Sequence, residues 1–380
     1  MFLTSEQESI RDLARDFVAR ELKPVSRQLE TGDLDTLRYL WQKMAETGLT
    51  GLPFPEEYGG AGVDSLSYFL VLEEIAKESA ALATSLSVHV SLMGIPMQHY
   101  GTEVQKQAYL PRLVSGELIG AFALTEPNAG SDAGSGMTRA ERDGDSYVLN
   151  GSKIFITNAL IGGLFVATAR TDPSVAGAKG LSAFLIERDT LGMTITKGDE
   201  KMGLLGSDWG EVHFDNCRIP AVNRLSSEGN GFKLFMHSLN VGRIGIGAIS
   251  LGLAESCLEA AIRYARERRQ FGQPIANFQA VQFKLADMAM KIEAARQLVY
   301  NAARLKEAGK DFALEASMAK LYASEICNEC AQEAVQIFGG YGYTKEFPVE
   351  RYFRDARVMS LFEGTSQIQH VVIARHLLAS

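Results

Sequence analysis

Cysteine is scarce: Cys217, Cys257, Cys327 and Cys330 are the only four in 380 residues. That excludes a disulfide scaffold and fits a reducing compartment. Cys327 and Cys330 form a C-x-x-C, but no second ligand pair accompanies them. They fall inside a helical pattern, Ala319 to Phe338, so they read as packing residues. Basic residues are outnumbered, and the net charge of −8 with a pI near 5.4 offers no field for nucleic acid or an anionic membrane. The six histidines show no metal-ligand spacing, so no metal site is expected. No apolar leader opens the chain: charges arrive at once in MFLTSEQESIRDLARDF, which reads instead as a helix. Thr4 and Gln7 fit a capping box there, and Ile10, Leu13, Phe17 and Val18 keep helical spacing. Residues 79–102 contain no Asp, Glu, Lys or Arg. Their Ser, Thr, two His and Pro96 argue for a helix buried on all sides and against a membrane span. Repeats and low-complexity segments are lacking. So are a Gly-x-Ser-x-Gly elbow and a Ser-His-Asp ordering. Gly242-x-x-Gly245-x-Gly247 and Gly339-Gly340-Tyr341-Gly342 follow no strand and miss the dinucleotide and P-loop spacings.

What is present is ordinary globular composition, 46% hydrophobic and 22% charged, enough for two or three domains. Residues 1–121 read as helices, with Leu66, Phe69, Leu70 and Ile75 in register, a loop at Gly59–Gly62, and a further helix from Glu103. Residues 122–229 carry short apolar runs around Val148, Phe155, Phe165, Leu185 and His213. Asp143-Gly144 and Asn150-Gly151 read there as hairpin turns. Residues 230–380 return to helical spacing, with a seam of Val281, Leu285, Met288, Ile292, Ala295 and Val299, and small residues from Gly245 to Gly252. The expected class is α+β, mostly α: an N-terminal helical domain, a small antiparallel β-domain and a C-terminal four-helix bundle.

One acid stands out. Glu363 follows Leu361 and Phe362 and precedes Gly364-Thr365-Ser366-Gln367, a potential helix start. Apolar neighbours disfavour a carboxylate's charged form and raise its pKa, which suits a general base near neutrality. A second segment is Ala123-Leu124-Thr125-Glu126-Pro127-Asn128-Ala129-Gly130-Ser131-Asp132. A third is Gln336-Ile337-Phe338-Gly339-Gly340-Tyr341-Gly342-Tyr343, continuing through Glu346 and Arg351 to Asp355, and a fourth is Arg268-Arg269-Gln270-Phe271-Gly272.

With these motifs in this order, the chain resembles the acyl-CoA dehydrogenase family over essentially its whole length. The resemblance implies FAD as cofactor and Glu363 as the base that removes the α-proton of an acyl thioester, with the β-hydrogen leaving as hydride. It puts Phe122, Leu124, Thr125, Gly130 and Ser131 beside the flavin, with Ser131 also touching substrate. Phe155, Ile156 and Thr157 stand where the family has Trp-Ile-Thr on the flavin, so Phe155 keeps an aromatic face and loses an indole N–H. Arg268, Phe271 and Gln279 fall at the pyrophosphate end, joined by Gln336, Ile337, Gly339 and Gly340 across a subunit interface. Thr365 and Gln367, which follow the base, also fall in cofactor-binding positions. Asn240, Arg243 and Gly364 take thioester-ligand positions, although members often have Asp in place of Asn240. One lineage carries its base on the helix before Arg243, where Gly242 here cannot serve.

The implied reaction is dehydrogenation of a short- to medium-chain acyl-CoA, with branched and cyclic acyl groups left open, to the 2-enoyl-CoA. Electron-transfer flavoprotein is the implied acceptor, and a homotetramer built as a dimer of dimers the implied assembly. The place is the bacterial cytoplasm, or the mitochondrial matrix for a processed eukaryotic chain. An acyl-CoA oxidase is the alternative enzyme, and a non-catalytic binding protein on the same scaffold the alternative of another class; the acidic charge opposes a nucleic-acid role. A decarboxylating glutaryl-type enzyme would place Arg near position 83, where Ala83 stands.

Overall fold

The computed structural model describes residues 3–379. Seven helices come first: α1 (Ser5–Phe17), α2 (Lys23–Leu29), α3 (Leu34–Glu46), α4 (Ser65–Glu78), α5 (Ala80–Ser87), α6 (Ile95–Tyr100) and α7 (Glu103–Val114). The capping box is present, with Thr4 accepting from the Gln7 N–H and Gln7 returning to the Thr4 N–H. Thr102 and Gln105 repeat the device at α7. A wide turn of helix at Val88–Gly94 fuses α5 and α6 into one 21-residue rod, Ala80–Tyr100. That rod and the later helix α8 (Gly231–Glu267) are both long and apolar enough to cross a membrane. In this fold the most apolar part of the rod is wholly buried, and that of α8 largely so.

Eight strands follow: β1 (Gly120–Ala123), β2 (Arg139–Asp143), β3 (Ser146–Thr157), β4 (Leu164–Arg170), β5 (Leu181–Glu187), β6 (Met193–Lys197), β7 (Trp209–Pro220) and β8 (Arg224–Leu225). They form one sheet in the order β6-β7-β3-β2-β4-β5-β8, with β1 paired to β4. Pairing is antiparallel, that of β4 with β5 included, except that β4 lies parallel to β1 and meets β2 at one parallel position. Asp143-Gly144 does turn the chain from β2 to β3. Asn150-Gly151 does not. It is a bulge inside the single long strand β3, where Gly151 takes φ 149° and a Cβ would sit 2.6 Å from Thr138 Oγ1. The two runs around Val148 and Phe155 are therefore one strand.

The long helices α8, α9 (Gln279–Glu307) and α10 (Ala313–Phe338) build the last part, and α11 (Val349–Met359) and α12 (Ser366–Leu378) pack on α10. A small hairpin of β9 (Arg269–Gln270) and β10 (Gln273–Pro274) separates α8 from α9. The seam on α9 is buried from Met288 to Val299, whereas Val281 and Leu285 are only half-covered. Cys327 and Cys330 are free and buried in α10. Among the described residues, no group of three His, Cys, Asp or Glu side chains is placed to hold a metal.

The uncharged rod sets the site. It joins the sheet on one side, where Asn158 Nδ2 donates to Ser85 O and Gly120 O, each at 3.0 Å. On its other side Leu92 abuts Gly242 of α8. One core runs through α1 to α11, and a second lies within the sheet.

Candidate active site

Glu363 lies between α11 and α12 with φ 52°, in the left-handed region that side chains other than glycine seldom adopt. Its Oε2 is shut off from water and has no hydrogen-bond partner. The flanking apolar residues are not what encloses it: Leu361 is half exposed, and Phe362 turns toward the helical core. The enclosure comes from across the molecule. A Cβ built on Gly242 would lie 2.1 Å from Glu363 Oε2 and 2.8 Å from Leu92 Cδ2, so only glycine leaves the carboxylate its place. Burial raises the Glu363 pKa to about 7, with Lys320 and then Arg243 restraining the rise.

Arg243 is buried one residue beyond Gly242. It donates to Asn240 Oδ1 at 2.7 Å, so these two predicted ligand residues meet each other beside Gly364. Thr365 caps α12, its side chain accepting from the Ile368 N–H. Gln367 is exposed on the first turn of that helix.

The segment 122–131 enters from the sheet side. Phe122 packs on Phe235 of α8 at 4.2 Å between ring centroids. Leu124 lies half-buried at the core margin, and the Thr125 carbonyl accepts from the Ile154 N–H at 2.9 Å. Gly130 borders open space and Ser131 is exposed. Sequence reasoning passed over the pair that anchors this segment. Lys153, wholly buried on β3, donates to Glu126 Oε1 at 2.7 Å and to Leu124 O and Thr168 Oγ1. Glu126 also accepts from the Met137 and Thr138 N–H groups. Burial pushes the Glu126 pKa up, but Lys153 and those N–H groups outweigh it and the net shift is downward. Burial takes the Lys153 ammonium down to about 8. The available signal was that Lys153 is the single charged residue of residues 146–157.

Phe155 has φ 59°, is 56% exposed and stacks on Trp209 at 5.0 Å. The Trp209 indole does not restore the donor absent at position 155, because its N–H is given to Asp199 O. Ile156 points into the sheet core, which leaves its backbone as the part able to face a ligand; Thr157 is half-buried.

The remaining predicted residues gather elsewhere. The Arg268 guanidinium lies over the Tyr341 ring at 5.5 Å. Phe271 is 93% exposed; Gln279, a short way along the chain, and Gln336, Gly339 and Gly340, at the end of α10, are exposed too, whereas Ile337 is buried. Arg243 and Arg268 belong to one helix and its cap, about 37 Å apart at 1.5 Å per residue. Within one subunit the predicted residues therefore form two separate groups. A cavity of about 980 Å³ sits near the distal end of α8, lined by Arg15, Glu30, Tyr264, Phe338 and Arg351 among others, and does not reach Glu363.

Comparison with known proteins decides the relationship. Profiles described as acyl-CoA dehydrogenase N-terminal, middle and C-terminal domains match residues 4–117, 121–217 and 229–378. The chain belongs to the acyl-CoA dehydrogenase family. An acyl-CoA dehydrogenase of Bacillus subtilis is 49% identical over 378 residues, covering 100% of this chain and 99% of that one. Butyryl-CoA dehydrogenase from Megasphaera elsdenii superimposes with a TM-score of 0.96 at 45% identity, over 100% of this chain and 99% of that one. A chain described with the electron transferring flavoprotein of Acidaminococcus fermentans gives a TM-score of 0.97 at 47% identity, over the whole of both. A Bacillus anthracis member was solved complexed with FAD, with a TM-score of 0.95 at 35% identity, over 99% of this chain and 67% of that one. The protein is an oxidoreductase of this FAD-dependent family.

Two expected results follow from the acyl-CoA dehydrogenase geometry. Gly242→Ala should crowd the Glu363 carboxylate and Leu92, a cost that offsets alanine's gain as the better helix former, and should push the carboxylate out of place. A carboxylate displaced by even 1 Å should slow flavin reduction by about 10²-fold. Full activity in this variant, measured by stopped-flow bleaching, would show that the carboxylate does not work from the observed position. The pH dependence has a definite sign. With its pKa raised to about 7, Glu363 is protonated below that value; a flavin reduction that uses it as the base expected from the sequence should therefore quicken with pH and level off above about 7. A profile flat from pH 5 to 8 contradicts this. The same shift makes the folded chain lose stability as pH rises from the ordinary carboxylate range to about 7.

Proposed function

We propose that the protein oxidises a short- to medium-chain acyl-CoA to the trans-2-enoyl-CoA, with Glu363 removing the α-proton. The observation that carries this is a buried carboxylate with a free oxygen, seated against glycine and flanked by Arg243 and Lys320. Such a group is held apart from protein donors, with its lone pair available to a substrate C–H. The backbone near Glu363, Arg243 and Asn240 would orient the thioester, and polarisation of its carbonyl is what makes the α-proton acidic enough to transfer. FAD, when bound, accepts the β-hydrogen as hydride. Thr125, Phe155 and the backbone of Ile156 and Thr157 would hold its ring, and Thr365 and Gln367 would approach it from the α12 side.

The open space at Gly130 and the exposed Phe155 ring suit a flat cofactor on this face. The separation of about 37 Å between the two groups supports a cofactor shared by two subunits, with Arg268, Phe271, Gln279 and Gln336–Gly340 supplied by a neighbour in a homotetramer. Likeness to butyryl-CoA dehydrogenase favours a short acyl group, and likeness to the Acidaminococcus chain favours an electron-transferring flavoprotein as acceptor. A bacterial cytoplasmic location fits the bacterial relatives. The test is an anaerobic titration with butyryl-, isobutyryl- and octanoyl-CoA, following the visible flavin band. Bleaching by one of them supports the reading and ranks the substrates; a flavin that none bleaches contradicts it.

A further inference from the structure

Behind Glu363 stands a side chain that no motif marks. Lys320 of α10 is wholly buried, and its Nζ donates to Gly364 O at 2.8 Å. Gln369 Nε2, from α12, donates to the same oxygen at 2.8 Å and to Glu363 O at 3.3 Å. The two carbonyls so held belong to the two consecutive residues with left-handed backbones, φ 52° and 94°. Such a turn persists only where its surroundings over-determine it. A buried ammonium is a costly way to supply one hydrogen bond; an apolar side chain of the same volume would fill the space without burying charge. The charge therefore calls for a use of its own, and the nearest group that changes protonation in the reaction is Glu363.

We propose that Lys320 is a positioning residue for the base: with Gln369 it locks the Glu363–Gly364 turn, and its buried positive charge favours the carboxylate form that accepts the α-proton. This rests on the reading of Glu363 as base. The proton moves from substrate carbon to the carboxylate, and Lys320 stays protonated throughout. The other groups that face Glu363 are accounted for. Arg243 comes from α8 and the Tyr68 phenol from α4. The rod, which holds no Asp, Glu, Lys or Arg, brings the uncharged Leu92 to the same place beside Gly242, and α12 brings the neutral Gln369. Glu325, on α10 itself, acts on Lys320. Of the two cations, Lys320 has the larger influence on Glu363. Burial lowers the Lys320 ammonium to about 8, which leaves it charged where Glu363 titrates.

The experiment compares K320M, K320Q, K320R and Q369L holoenzymes, with E363Q as reference. One readout needs no turnover: the protonated-carboxyl infrared band, assigned by its loss in E363Q, titrated without substrate. The second is the pH profile of flavin bleaching by butyryl-CoA. In K320M and K320Q the carboxyl midpoint should rise by about one pH unit or more, and bleaching at pH 6.5 should fall about tenfold and recover at higher pH. K320R should leave the midpoint in place, and Q369L should slow bleaching equally at every pH. An unmoved midpoint in the neutral variants overturns the proposal, as does a K320R midpoint displaced as far as theirs. If K320M does not accumulate as a folded flavoprotein, K320Q, which keeps a donor for Gly364 O, decides the matter. If neither neutral variant accumulates, K320R decides it: a midpoint in place supports the role and a displaced one overturns it. Rapid bleaching in E363Q would instead remove the base assignment itself, a separate result from an unmoved midpoint.

Discussion

Glu363→Gln is expected to bind FAD and acyl-CoA like the parent and to bleach its flavin at least about 10³-fold more slowly. The amide keeps the shape of the side chain in its enclosure against Gly242 and Leu92 and removes only its capacity to take a proton. Loss of binding would mean that the carboxylate serves the ligand site, and normal bleaching that the base lies elsewhere. The close approach of Gly242 also says how a relocated base should be built. A side chain added at 242 collides with whatever long side chain occupies 363, so Gly242→Glu added to Glu363→Gln is too crowded. Glu363→Gly combined with Gly242→Glu clears the space, and glycine suits the left-handed backbone at 363. That double variant is expected to recover part of the flavin reduction lost by Glu363→Gly alone, read in the same stopped-flow assay; no recovery would show that position 242 cannot aim a carboxylate at the substrate.

The second large effect is on stability. Lys153→Met should destabilise the protein by about 3–5 kcal/mol, because it leaves the nearly buried Glu126 carboxylate without its cation. Adding Glu126→Gln should recover most of the loss, since the amide oxygen still accepts from the Met137 and Thr138 N–H groups while the buried charge is gone. Urea denaturation of both variants near pH 7 measures this. The Glu126 pKa is depressed in the folded state, so its contribution is present above the ordinary carboxylate range and fades as pH falls through the folded value. The gap between parent and single variant should narrow in acid. The single variant should also hold FAD poorly, because Lys153 pins the stretch that carries Thr125, Gly130 and Ser131. Equal stability of Lys153→Met and parent at neutral pH would contradict the account.

Local patterns in the sequence were dependable where local chemistry decides the outcome. The Thr4–Gln7 cap, the Asp143-Gly144 hairpin and the burial of the uncharged rod all depend on residues near one another or on composition. Asn150-Gly151 misled because the same dipeptide that favours a tight turn also relieves a bulge, and only the partner strand distinguishes them. Glu363 was legible as an unusual acid, but its enclosure was assigned to adjacent residues when Gly242 and Leu92 provide it. Lys320 and Lys153 escaped notice for the same reason. Each matters through a contact to a distant part of the chain, and a lone lysine in an apolar stretch does not announce its partner.

The burial of Ala80–Tyr100 has a consequence for biosynthesis. Part of what covers this rod is made before it, as Trp41, Phe54 and Tyr68, and part is made later: Asn158 just after β3, then Gly242 and its neighbours on α8. Arg351, which donates to Glu78 O at the end of α4, comes 273 positions after it. At roughly 5–20 residues per second, the nascent helix waits on the order of ten seconds or more for its partners. Its serines, threonines and histidines have no charge to unsettle the finished core, yet they keep the waiting segment from being purely apolar. The first hundred residues thus form a unit of synthesis whose packing is completed only by segments that emerge later.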